Sequence, residues 1–291
     1  MSDIDPIRLG AGIVKRITGY SASFTNEPII PIYNVRPYKN SNQWGDTIMY
    51  EVVGCNEDCA HCYVHPNLLI ANTNSDTFKK KISNLPKSLQ AFPQTSEALN
   101  NYFSKRKEAV IEFTGGEPTP FRGGLIKLAE LVQDATIAIN TNGLLISEYD
   151  DYLEPFKNFN NFEFLISIKG TTPEDFRRFT GVKSDYWESP FKAYEKLIDA
   201  GFKTHLGITL DTIGFKEEEN SLYEMIERLE KINPNAIKDI TWDKIIDQMW
   251  GHKFVGTHKK MVERGYWTIS DQGKVIRHTN IKKTKEFVES L

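Results

Sequence analysis

The sequence predicts an α/β fold: an open, partial (β/α)6 barrel with an N-terminal lead-in and a C-terminal appendage. Three observations predict it. Six strand-like runs alternate with helical ones at spacings of about 25–40 residues, which calls for parallel strands joined by right-handed crossovers. A closed barrel needs eight such units, and a chain of 291 residues has room for about six. The most chemically loaded turns each follow a strand directly, at the carboxyl strand ends where such folds collect their chemistry.

In chain order, residues 1–46 scatter Pro, Gly, Asn and Ser, as in Asn26-Glu27-Pro28 and Asn40-Ser41-Asn42, and read as an irregular extension. Residues 47–54 are the first strand, which delivers the chain to Cys55. Residues 74–106 are polar, with helical spacing broken at Pro86 and Pro93, and read as two short helices and a loop. A strand at 109–114 ends in Gly115-Gly116; a helix at 125–132 leads to a strand at 136–139 and the turn Asn140-Thr141-Asn142-Gly143. A short helix at 149–156 precedes a strand at 162–168, and helices near 172–179 and 190–200 precede a strand at 203–210. An amphipathic helix at 218–231 and a strand at 237–242 complete a barrel domain over residues 47–243. Residues 244–291 form a basic appendage, with ten Lys or Arg against five Asp or Glu. Within it a hairpin turns at Asp271-Gln272-Gly273, and a last helix covers 282–291.

Composition narrows the class. The chain is 40% hydrophobic, 26% charged and 12% aromatic, which fits a globular protein with a substantial core and excludes disordered and fibrous classes. A formal charge of −3 excludes a strongly basic chain coated in nucleic acid. No apolar run approaches the roughly 20 residues of a membrane span. The opening residues, Met1 to Arg8, lack the basic patch and apolar core of a secretory signal. A cytoplasmic protein with no membrane partner is the expectation.

The three cysteines, Cys55, Cys59 and Cys62, share one eight-residue window. An odd number so tightly spaced is not a disulfide framework. Three thiolates from one loop suit a soft metal or an iron–sulfur cluster, which persists best in a reducing compartment. The spacing Cys-x3-Cys-x2-Cys lets the sulfurs cap three corners of a cubane and leaves the fourth iron open to a cofactor. The alternative is a zinc site completed by His61 or His65, which would make the chain a zinc-stabilised binding module. With every cysteine assigned, a second all-cysteine cluster and a cysteine nucleophile are both excluded.

This loop, with the strand before it and Tyr63 after it, resembles the signature of the radical S-adenosylmethionine (SAM) enzymes. The resemblance implies one 4Fe-4S cluster whose open iron is chelated by the amino and carboxylate groups of SAM. It implies reductive cleavage of SAM to methionine and a 5′-deoxyadenosyl radical, hydrogen abstraction from a substrate, and an external one-electron donor of flavodoxin or ferredoxin type. Thr114-Gly115-Gly116-Glu117-Pro118, some fifty residues further on, resembles the family's Gly-Gly-Glu-Pro motif, whose backbone holds the SAM amino group. Two glycines there permit positive φ and close approach of the backbone to a ligand.

Two more elements, Asn140-Thr141-Asn142-Gly143 and Ser167-Ile168-Lys169, resemble the Asp-Thr-Asn-Gly and Asp-x-Lys elements of the glycyl-radical-enzyme activases. Pyruvate formate-lyase activating enzyme typifies that branch. Lys169 matches and implies a salt bridge to the SAM carboxylate. Asn140 and Ser167 replace both Asp residues, a departure at that branch's cation site; Ser167 can instead hydrogen-bond the carboxylate or ribose. The resemblance therefore lays SAM across Gly115, Gly116, Glu117, Asn140, Asn142, Ser167 and Lys169.

Less specific candidates remain. His61 occupies a place where many family members carry an aromatic that packs on adenine. Thr209 and Asp211 end a strand and can reach ribose or substrate, with helix capping the alternative for Asp211. His205 reads as a satisfied barrel residue, and His252, His258 and His278 as solvated surface. Three substrate classes follow: a protein partner receiving a backbone radical, a small molecule or nucleoside, and RNA bound by the basic tail.

Overall fold

Runs of β-branched and aromatic residues build one seven-stranded sheet whose spatial order is its chain order. The computed structural model of the chain describes residues 3–19, 21–41, 44–83, 110–209, 219–243, 261–264, 267–269 and 275–277. The strands are β1 (Ile32–Ser41), β2 (Gly45–Val52), β3 (Val110–Gly115), β4 (Thr136–Thr141), β5 (Phe162–Ile168), β6 (Lys203–Thr209) and β7 (Ile240–Asp243). β1 runs antiparallel to β2, and every other neighbouring pair is parallel. Among the described residues the sheet does not close, and β1 and β7 are its edges. The expected α/β partial barrel is thus present, with one more strand than the six read from the sequence.

The extra strand lies in the region expected to be irregular. Residues 32–38 alternate apolar and polar side chains but include Pro37, which reads as a strand breaker. An edge position tolerates it, because one side of an edge strand needs no ladder donors. The same region holds α1 (Pro6–Thr18) despite Gly10 and Gly12. Strong ends compensate: Asp5 accepts hydrogen bonds from the amides of Ile7 and Arg8 at 3.1 Å, Pro6 opens the helix, and Gly19 closes it at φ 82°.

The remaining helices are α2 (Pro66–Leu69), α3 (Asp76–Ser83), α4 (Arg122–Leu131), α5 (Leu144–Glu148), α6 (Pro173–Thr180), α7 (Ser189–Asp199) and α8 (Glu219–Ile232). Among the described residues no helix is long and apolar enough to cross a membrane. The short helix expected at 149–156 instead occupies Leu144–Glu148, started by the Asn142 side chain accepting from the Leu144 amide at 3.1 Å. Pro155 leaves only a 3-10 turn at Glu154–Asn158. The hairpin of the basic appendage is present as β8 (Trp267–Ile269) and β9 (Val275–Arg277), paired antiparallel. Its turn, the second helix read in 74–106 and the terminal helix at 282–291 lie outside the described residues.

Side chains alternate across the sheet. One face carries Tyr50, Phe113, Ile137, Ile139, Phe164, Ile166, Leu206 and Ile208, all buried in the main apolar cluster with Leu125, Phe156, Tyr194, Leu197 and Leu229 from the helical layer. The other face is polar. There Thr47 and Asn140 donate to Glu112 at 3.0 and 2.8 Å, and Trp44 donates to Glu163 at 2.8 Å. All parallel strands deliver their carboxyl ends to one edge, which is where the cysteine loop, the Gly-Gly turn and Lys169 emerge.

Candidate cluster and cofactor site

The cysteine loop is a turn held by backbone bonds on two sides. Gly54, at φ 91°, starts it beneath α1; a Cβ there would stand 2.4 Å from Ile13 Cγ2, so only glycine fits. The amides of Gly54 and Cys55 donate to Leu68 and Leu69 of α2, both at 2.9 Å. The amides of Asp58 and Ala60 donate to Thr180 and Phe179 at 2.9 and 2.8 Å. Those carbonyls end α6, where a helix leaves acceptors without internal partners. Arg264, far along the chain, donates to the Phe179 carbonyl at 2.7 Å and to Asp58 Oδ2 at 2.9 Å.

The Gly-Gly turn backs directly onto this loop. The Gly116 and Glu117 amides donate to the carbonyls of Val52 and Gly54 at 2.8 and 2.7 Å. A Cβ on Gly116 would lie 2.0 Å from the Gly54 oxygen, and Gly115 adopts φ 90°. Glycine at both positions is therefore a steric requirement. Both stay partly exposed, as a backbone offered to a ligand must.

Glu117 is buried and spends its carboxylate on the protein. It accepts from the Thr119 amide and hydroxyl at 3.2 and 2.7 Å, the Thr141 hydroxyl at 2.6 Å and the Asn142 amide at 2.9 Å. Burial raises its pKa, while these donors pull the other way. Glu117 thus braces the Gly-Gly turn against the Asn140–Gly143 turn. Asn142 in turn donates to Asn56 Oδ1 of the cysteine loop at 2.6 Å.

Lys169 enters just past the end of β5. Its Nζ lies 2.6 Å from Glu57 Oε2, and Cys59 Sγ donates to the same oxygen at 3.1 Å. Glu57 is a carboxylate with 1% of its side chain exposed, held by an ammonium with 11% exposed. Burial alone would favour neutral Lys169, but the Glu57 carboxylate 2.6 Å away outweighs it and keeps the ammonium protonated. Burial first and Glu57 second push the Cys55 and Cys59 thiols well above their ordinary pKa. Ser167 sits one pleat before Lys169, in register with Gly207 of β6.

Of the less specific candidates, the His61 ring stacks on Phe179, with centroids 4.7 Å apart and planes 14° from parallel. His65 caps α2 through Nδ1, accepting from the Asn67 amide at 3.2 Å. His205 pairs with Glu163 at 3.4 Å, a satisfied barrel residue as read from the sequence. Thr209 ends β6. Asp211, His252, His258 and His278 lie outside the described residues.

Among the described residues no three His, Cys, Asp or Glu side chains are gathered as ligands of a single metal ion. Ligands of a cubane reach three different irons, so their sulfurs stand further apart than ligands that share one ion. Two orphaned polar atoms also fit a bound group: Asn56 Nδ2 on the cysteine loop is a buried donor, and Asn140 Oδ1 at the end of β4 is a buried acceptor. Neither has a partner among the described residues. A buried amide left unpaired costs about 1–3 kcal/mol, which a ligand offering the complementary atoms removes. Sequence reasoning missed Asn56, Glu57, Asp58 and Arg264. The first three hide between cysteines as ordinary polar spacers, and nothing local to Arg264 announces its partner 206 residues away.

Comparison with known proteins agrees with this geometry. The Radical SAM superfamily profile matches residues 51–229. No curated protein sequence matches the chain. Among solved structures, Streptococcus suis SuiB bound to S-adenosylmethionine is similar at TM-score 0.51 and 13% identity, covering 83% of this chain and 46% of SuiB. SuiB bound to its precursor peptide SuiA gives TM-score 0.48 and 14% identity over 74% of this chain and 41% of SuiB. Native anSMEcpe with bound AdoMet gives 0.44 and 18%, over 67% of this chain and 50% of its own. The chain thus spans about half the length of these proteins or less. With a family match over more than half of its residues, on a partial barrel carrying the three-cysteine loop at its carboxyl edge, the chain belongs to the radical SAM superfamily.

Proposed function

We propose that the chain holds a 4Fe-4S cluster on Cys55, Cys59 and Cys62 and binds SAM beside it, the pair supplying a 5′-deoxyadenosyl radical that abstracts hydrogen from a substrate. The observation that carries this reading is the backbone contact between the Gly-Gly turn and the cysteine loop, Glu117 amide to Gly54 carbonyl at 2.7 Å. It makes the metal ligands and the cofactor cradle one rigid unit. Superfamily membership supports the reading, and SuiB, of like fold, was solved with SAM bound.

The chain's own residues bind and orient. Lys169 offers an ammonium to a carboxylate, sharing it with Glu57. Gly115 and Gly116 offer bare backbone, and Asn140 Oδ1 and Asn56 Nδ2 offer an acceptor and a donor that have no partner among the described residues. Phe113, Ile139 and Ile166, fully buried against the helical layer, hold rigid the strands that carry these groups. For the reaction class, the Asn140–Gly143 turn and Ser167-Ile168-Lys169 favour installing a radical on a protein partner.

Anaerobic reconstitution with iron and sulfide tests the proposal. The expected result is a brown protein with about four irons per chain that forms 5′-deoxyadenosine from SAM on reduction. Cys59→Ala should lose colour and cleavage together. A colourless chain that takes zinc and leaves SAM intact overturns the reading. A glycyl-radical EPR signal on a co-purified partner supports protein activation, and SAM cleavage stimulated only by metabolite or RNA fractions refutes it.

A further inference from the structure

The outer side of the cysteine loop faces a cavity of about 550 Å3 walled by α1 and the segment around α2, with Cys55 in its lining. Four carboxylates line it, and each is neutralised by a cation from elsewhere in the fold. Asp3 meets Arg177 at 2.8 Å, Asp5 meets Lys183 at 3.9 Å, Glu57 meets Lys169 at 2.6 Å and Asp58 meets Arg264 at 2.9 Å.

The two cations of the lining are not neutralised in this way. The Arg8 guanidinium is exposed and has no carboxylate partner among the described residues; Arg16, also exposed, donates to the carbonyl of Ile70. Lys15 is exposed next to Arg16 and pairs with no carboxylate among the described residues. Positions 8, 12, 15 and 16 share one face of a helix by their spacing. Gly12, the fourth of them, leaves the approach open, since nothing lies within 4 Å of where its Cβ would stand. A chain with a formal charge of −3 thus presents a positive rim, uncompensated among the described residues, on a cavity whose wall includes Cys55.

We propose that this rim is the docking surface for an acidic one-electron carrier protein. Its carboxylates would meet Arg8, Lys15 and Arg16, and its redox group would face the cavity wall that contains Cys55. The inference rests on the reading of Cys55 as a cluster ligand. One electron passes inward: the carrier is oxidised by one electron, the cluster is reduced by one, and no bond or proton changes hands. Charge complementarity of this kind raises the encounter rate and suits a small, transient interface that must release its spent partner. Lys169 and the Gly-Gly turn are not among the residues lining the cavity, so a carrier placed here leaves them free for SAM.

The experiment is a calorimetric titration of the reconstituted holoenzyme with FMN-loaded, oxidised flavodoxin at low and high ionic strength. The wild-type protein is expected to bind at low ionic strength and to weaken as salt is added. The double variant Arg8→Glu, Lys15→Glu should bind at least about tenfold more weakly, with a shallower salt dependence, and Arg8→Lys should retain affinity. Formation of 5′-deoxyadenosine driven by dithionite, which needs no docking, should be equal in wild type and double variant. Equal flavodoxin affinity in the two proteins overturns the proposal, as does absence of wild-type binding at low ionic strength. Absence of 5′-deoxyadenosine from wild type with dithionite overturns the functional reading instead.

Discussion

Arg264 Nη2 stands 2.9 Å from Asp58 Oδ2 while its Nη1 donates to the carbonyls of Phe179 at 2.7 Å and Arg178 at 3.2 Å. One guanidinium, with 5% of its side chain exposed, thereby joins the C-terminal region to both the cysteine loop and the end of α6. A cation at a helix C-terminus also complements the helix dipole. Arg264→Ala is expected to cost about 1–3 kcal/mol of stability and to make the reconstituted protein lose iron faster. Arg264→Lys should recover only part, because an ammonium cannot span acceptors as a planar fork does. Thermal melts and iron content after gel filtration check this; an Ala variant that melts and retains iron as wild type does would refute the clasp.

The Glu57–Lys169 pair predicts an asymmetry. Lys169→Ala strands a buried carboxylate, at a cost of about 3–5 kcal/mol. The double variant Glu57→Gln, Lys169→Met removes both charges and should be less destabilised than Lys169→Ala alone. It should nevertheless bind SAM poorly, having lost the ammonium. Chemical denaturation and equilibrium dialysis of SAM measure the two effects separately, and a double variant with undiminished SAM affinity would remove Lys169 from the site.

Two glycines should respond in opposite ways to the same substitution. Gly116→Ala drives a Cβ to 2.0 Å from the Gly54 oxygen, so the cysteine loop and the Gly-Gly turn must separate. Cluster loading is expected to fail. Gly12→Ala meets open space on a helix and should stabilise by about 0.5–1 kcal/mol. A Gly116→Ala protein that loads iron normally would contradict the close approach.

Glu163 gives a pH dependence. Burial disfavours its charge, but hydrogen bonds from His205, Lys203 and Trp44, with the charge of Lys203, outweigh burial and hold it at about 2 against an ordinary 4.5. A depressed folded-state value means that the stabilisation is present above the unfolded value and is lost as pH falls from about 4.5 toward 2. Glu163→Gln should flatten that part of the melting-temperature profile of the metal-free chain. Since the group is only half-buried, the change should be modest. An unchanged acid limb would show that the group's charge does not contribute.

The parallel strands, the cysteine loop and the Gly-Gly turn were legible in the sequence because each is a local property: β-branched runs, close thiol spacing and glycines where a backbone must be bare. Superfamily membership rests on the profile match over residues 51–229, the stretch that holds these patterns. Tertiary structure decided what local pattern cannot encode. Pro37 sits in a strand only because that strand is an edge, and α1 forms across two glycines because its ends are capped and its apolar side is buried. Glu117 turns inward to brace two turns because burial offers it four donors. Glu57 and Asp58 become charge partners of Lys169 and Arg264, 112 and 206 residues away. Periodicity and spacing are set within a few residues, whereas ion pairs and orphaned amides depend on which distant segments the folded chain brings within hydrogen-bond reach.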